Sequence, residues 1–307
     1  LKDIKSEAWK ATAAEILKEL TADAPLSAWD EFKELIIVPD GLLWYVPFEA
    51  LQIQDGDESI AVIDKVRVRY APTVALAVPD PRPRSRVMRT AVVAGSLFPR
   101  EGESLSQELL SDLKAEDPNV FGVSVKPAPA TAVLAKTVGR LVVLNDLDND
   151  VKGPLDWAPM TVNRGKAAGS VAQWMRLPWG GPDEVVLPGF HTPAENGLKR
   201  GGTGNDVFLS VCGLMATGSR TILLSRWRDG GRTSYDLMRE FVAELPHRSA
   251  SQAWQRSVRL AVSANLAWPQ EPRIKEVPPD TPPVKAEHPF FWSGYMLIDT
   301  GVEPKAD

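Results

Sequence analysis

Chemistry in this chain has few side chains to draw on. Three histidines, His191, His247 and His288, and a single cysteine, Cys212, are the only imidazole and thiol groups among 307 residues. A nucleophile paired with a base needs such groups side by side. Cys212 lies in Val207-Phe-Leu-Ser-Val-Cys-Gly-Leu-Met215, a run apolar on nearly all sides, which predicts a buried helix and an inert thiol. His191 follows the apolar run Val185–Leu187 and reads as a polar loop residue or partner contact rather than a catalytic base. His247 and His288 read as surface and turn residues. One cysteine rules out an internal disulfide and multi-thiolate metal centres.

Two further patterns resemble ligand sites and then depart from them. Asp146-Leu-Asp-Asn-Asp150 sets acids at alternate positions, like the opening of a calcium loop. The glycine position then holds Val151 and the closing glutamate position holds Trp157, so the reading is a solvated acidic loop. Lys199-Arg-Gly-Gly-Thr-Gly204 lacks the Gly-Lys-Ser/Thr ending of a phosphate loop and follows no strand directly. No cofactor is expected.

The elements that must position these groups follow from periodicity. Apolar residues at Trp9, Ala13, Ile16 and Leu20 predict a helix over the first twenty residues, with a short second one near 28–34. Leu35–Leu51 reads as strand, Pro-Asp-Gly turn and strand, and a further strand near 66–71 completes a small meander. The connector Pro79–Arg86 marks the main boundary. Beyond it, strands at 91–95, 120–125, 141–144, 185–187, 220–226 and 290–298 alternate with helices at 104–114, 130–138, 205–217, 233–245 and 251–267. That alternation predicts a mostly parallel sheet covered by helices. The expected division is a helical segment at 1–34, the meander and connector at 35–86, an α/β domain at 87–302 and a tail at 303–307. Pro269–Pro289 is a proline-dense loop.

A net charge of −5 gives no global pull toward nucleic acid or an anionic membrane, and no apolar window approaches a bilayer span. The chain is therefore expected to be cytoplasmic. Because it starts at Leu1 rather than Met, it is expected to be part of something longer.

In this order and spacing, LIIVPDGLLWYVPFEAL, VRVRYAPTVALAV, GLMATGSRTILLSRW, DLMREF and HPFFWSGYMLI together resemble CHAT domains, from residue 35 to the end. These are caspase-like modules often attached to tetratricopeptide repeats. The resemblance implies a caspase-like sheet with a histidine after the third strand and a cysteine after the fourth. Here the first stretch is Asn145-Asp-Leu-Asp-Asn149-Asp150, with Asn145 and Asn149 in the histidine positions. The second is Leu187-Pro-Gly-Phe190-His-Thr192, with Phe190 in place of the nucleophile. Asparagine does not exchange a proton near neutral pH and phenylalanine has no nucleophilic atom, so the resemblance implies a pseudopeptidase. The expected work is binding a protein or peptide, or another domain of the same chain such as tetratricopeptide repeats. The alternatives are an endopeptidase with a displaced nucleophile such as Cys212, and a structural spacer.

Ten tryptophans are the other anomaly. Trp157, Trp174 and Trp179 fall in the insertion Val151–Pro182, which joins two strands over the sheet end. A phenylalanine at that mouth needs a cover, either this insertion or a partner. The expected contact set is His191, Trp174, Arg176 and Trp179, types enriched at interfaces.

Overall fold

A computed structural model describes residues 6–22, 24–55, 58–80, 89–97, 104–123, 137–147, 153–160, 169–177, 180–191, 203–228, 230–271 and 282–301. The strands are β1 (Glu34–Ile37), β2 (Gln52–Asp55), β3 (Glu58–Ala61), β4 (Arg67–Tyr70), β5 (Thr90–Ala94), β6 (Val120–Gly122), β7 (Arg140–Leu144), β8 (Glu184–Leu187), β9 (Thr221–Ser225) and β10 (Tyr295–Asp299). The helices are α1 (Ala8–Thr21), α2 (Leu26–Trp29), α3 (Val62–Lys65), α4 (Leu105–Glu116), α5 (Val171–Trp174), α6 (Asn205–Ala216), α7 (Arg232–Glu244) and α8 (Ala250–Ser263). The expected helix at 130–138 falls mostly outside the described residues.

Eight strands form one sheet in the order β1-β4-β10-β9-β8-β7-β5-β6. From β6 to β9 neighbours are parallel; β10 is antiparallel to β9, and β4 and β1 run parallel to β10. Strands buried on both faces read as continuous apolar runs, and here alternate residues feed two cores. Leu141, Val143, Val185, Leu187, Ile222 and Leu224 pack toward α1, α5 and α6. Val142, Leu144, Val186 and Leu223 pack toward α4, α7 and α8. Each such side chain taken fully from water contributes roughly 1.5–3 kcal/mol, so the two faces hold the three layers together.

The small meander does not form. β4 lies parallel between β1 and β10, so the N-terminal segment extends the main sheet across the expected boundary. Arg69 fastens this seam. Its guanidinium donates to Glu34 Oε2 at 2.9 Å, to the Asp299 carbonyl at 2.7 Å and to the Ala77 carbonyl at 3.0 Å. The second expected strand is instead two 3-10 turns, Gly41–Tyr45 and Phe48–Ala50. Gly41 has φ +53°, and Trp44 and Tyr45 turn inward rather than pairing. The Trp44 ring lies 6.3 Å from Phe208, and the Tyr45 hydroxyl donates to Asp206 Oδ1 at 2.8 Å. β2 and β3 pair as a separate antiparallel hairpin. At the other end of the chain, Pro289–Phe291 is a 3-10 turn and the last strand begins only at Tyr295.

Candidate functional site

The carboxyl ends of β7, β8 and β9 lie side by side, because these strands are consecutive and parallel in the sheet. The loop residues beyond them therefore converge: Asn145-Asp146 after β7, Pro188–His191 after β8 and Arg226–Arg228 after β9. This is where open α/β sheets present their working residues.

Asn145 is a brace. Its Oδ1 accepts from the Ser96 backbone N–H at 2.9 Å, and its Nδ2 donates to the Asp146 carbonyl at 3.2 Å. Glycines on both sides let the loops approach. A Cβ at Gly95 would meet Asn145 Oδ1 at 2.1 Å, and one at Gly189 would meet the Asn145 carbonyl at 1.8 Å. The Leu147 N–H then donates to the Gly189 carbonyl at 2.9 Å, closing a bridge between Leu147 and Phe190. Asn149 lies outside the described residues.

Phe190 is fully buried. Its ring sits 4.9 Å from that of Trp157, tilted by 56°, an arrangement aromatic pairs favour. Trp157 is fixed in turn: Nε1 donates to Ser210 Oγ at 3.0 Å, and that hydroxyl donates to the Pro154 carbonyl at 3.1 Å. The insertion thus supplies the cover that Phe190 needs. This corrects one expectation: Trp174 is wholly buried in the same core and offers no ring to a partner. The reason is α5, capped by Ser170 and Gln173, which turns Val171 and Trp174 inward while leaving Arg176 exposed just beyond it. Trp179 lies outside the described residues.

His191 has company that the sequence reading missed. Its Nε2 is 2.8 Å from Asp146 Oδ1, while Arg228 Nη2 donates to Asp146 Oδ2 and stands 3.4 Å from the imidazole. Asp146 is therefore engaged through both oxygens, while the other acids of its run, Asp148 and Asp150, lie outside the described residues. Arg228, half-exposed, follows a strand end just as the other two do, and that shared position was the available signal. The carboxylate orients the imidazole as in a general-base pair, but the residue in front of His191 is a sealed phenyl ring.

Cys212 sits on α6. It is half-buried rather than fully buried, because Val207, Ser210, Val211 and Leu214 form the buried stripe of α6 and position 212 falls on its flank. Burial pushes the thiol above its ordinary range, and among the described residues no cationic or imidazole group offsets that.

Beneath the site, Arg226 is buried completely, bound to Glu49 Oε1 at 2.8 Å and to the carbonyls of Ser293 and Tyr295 at 2.9 and 2.8 Å. Burial disfavours its charge, but Glu49 and Tyr70 outweigh that and hold the guanidinium above its usual range. Among the described residues no helix is long and apolar enough to cross a membrane.

A family model described as CHAT domain matches residues 10–178, more than half of the chain. The match starts further toward the N-terminus than Leu35 and stops before β8, so it includes Asn145 and Asp146 but not Phe190 or His191. No curated protein matches the chain.

Proposed function

The chain belongs to the CHAT domain family, a caspase-like peptidase-related group, and on that premise we propose that it binds a polypeptide at the sheet mouth without cutting it. The observation that carries this reading is Phe190. A buried phenyl ring braced by Trp157 stands in the loop after β8, at the position that the resemblance assigns to the family's thiol. The nearby Asp146–His191 pair has no thiol in front of it, and the pKa of Cys212 is shifted away from reactivity. Among the described residues, Arg228 and His191 are polar groups partly open at this end to meet a partner, and Arg176 is exposed on the insertion. The partner is a protein, a peptide or another domain of the same polypeptide, tetratricopeptide repeats included, and the setting is the reducing cytoplasm.

The test is direct. The domain is incubated with a peptide pool drawn from a whole proteome, and new termini are read by mass spectrometry. No new termini above buffer are expected, while retained peptides should be lost when Arg228→Glu is substituted. Cleavage abolished by Cys212→Ala would overturn the reading in favour of a displaced nucleophile.

A further inference from the structure

A second surface concentrates charge that the chain as a whole lacks. A groove of about 580 Å³ runs between α8 and the amino ends of β1 and β4. Six cations line it, Lys33, Lys65, Arg67, Arg248, Arg256 and Arg259, and no carboxylate does, in a chain of net charge −5. Gln252, Gln255, Phe32 and Leu260 complete the lining, and of these Phe32 is 60% exposed and Leu260 42% exposed.

The cations are held in place from behind. Arg256 Nε contacts Glu240 at 2.8 Å and Glu244 at 3.0 Å, and Arg248 also pairs with Glu244. Arg259 Nη2 donates to the Asp64 carbonyl at 2.5 Å, Lys65 pairs with Asp30, and Arg67 Nε donates to the Lys33 carbonyl at 3.3 Å. Gln255 Nε2 donates to the Ile63 carbonyl at 2.7 Å, fixing α8 to α3 and hence one wall to the other. Exposed pairs of this kind contribute little to stability, so an incoming carboxylate can join or replace a partner at small cost.

We propose that this groove is a docking site for a short acidic polypeptide segment carrying one large apolar side chain, which inserts between Phe32 and Leu260. Charge complementarity selects the carboxylates and the exposed apolar pair selects the anchor. A nucleic-acid strand fits less well. Tracking a phosphate backbone needs a continuous basic stripe, whereas these six cations are confined to a single groove. The proposal does not depend on the sheet-mouth reading, since it uses none of the same residues.

Fluorescence anisotropy with four labelled probes decides it: an Asp/Glu-rich peptide with a central Leu-Phe, its Asn/Gln analogue, the acidic peptide with Ser for Leu-Phe, and single-stranded oligothymidine. The first is expected to bind best, more weakly as ionic strength rises. Combined Arg256→Gln and Arg259→Gln, both on exposed side chains, should weaken it by about tenfold or more with the circular-dichroism spectrum of the folded protein retained. Phe32→Ser should erase the preference for the apolar-containing peptide; should the double variant misfold, Arg248→Gln with Leu260→Ser serves the same comparison. Equal binding by wild type and folded variants, equal binding of the Asn/Gln analogue, tighter binding of oligothymidine, or no binding of the acidic peptide would each overturn the proposal.

Discussion

Phe190 and Trp157 lie ring against ring with centroids 4.9 Å apart, and this pair closes the loop that follows β8. One residue comes from the turn after β8, the other from the insertion between β7 and β8, so the contact joins a site position to its own lid.

Removing the lid residue should therefore be a stability event first. Trp157→Ala deletes a buried indole, removes one of the two hydrogen bonds of the Ser210 hydroxyl and uncovers Phe190. A loss of about 3–5 kcal/mol is expected from cavity formation, read from the urea midpoint. Trp157→Phe keeps the ring contact and should lose clearly less.

Restoring the thiol should not restore chemistry. In Phe190→Cys the sulfur would lie in a space that is now 0% exposed, beneath Trp157. The lost ring should cost up to about 3 kcal/mol, the lower end for deleting a buried phenyl group. No peptide turnover is expected in a fluorogenic library, and substantial turnover would mean the lid opens readily.

Cys212 makes a pH-dependent statement. Burial raises its pKa in the folded protein, so the folded state keeps the thiol proton to higher pH than the unfolded chain does. At neutral pH both forms are protonated and the shift has no effect. Above the unfolded value only the unfolded chain ionises, and stability falls with pH until the folded thiol ionises too. Urea titrations from neutral to alkaline pH should show this decline, and Cys212→Ala should flatten it. Native protein should also alkylate with iodoacetamide much more slowly than unfolded protein.

Glu49→Gln tests the ion pair beneath the site. It leaves the Arg226 guanidinium buried with only carbonyl partners, and a loss of about 3–5 kcal/mol is expected. Combining it with Arg226→Met, which removes the stranded charge, should recover part of that loss in the same denaturation assay.

Much of this architecture was legible in the chain because its cause is local. Leu141-Val-Val-Leu144 and Val185-Val-Leu187 are strands because continuous β-branched and leucine residues suit a sheet buried on both faces, and both lie where periodicity placed them. The family followed from the order of several such segments, and the scarcity of thiol and imidazole from simple counting. Other features depended on neighbours far away in sequence. Leu42–Leu51 had the apolar content of a strand, but Trp44 and Tyr45 found partners at Phe208 and Asp206, and turning inward to them prevailed over pairing. Asp146, His191 and Arg228 meet only because β7, β8 and β9 are adjacent and parallel. Trp174 looked like an interface residue by type, and the packing of α5 against α6 placed it in the core. The basic groove is assembled from the segment before β1, the start of β4 and the length of α8. Tertiary structure alone brought those cations together, because the charge of each segment is unremarkable until the sheet and helix set them face to face.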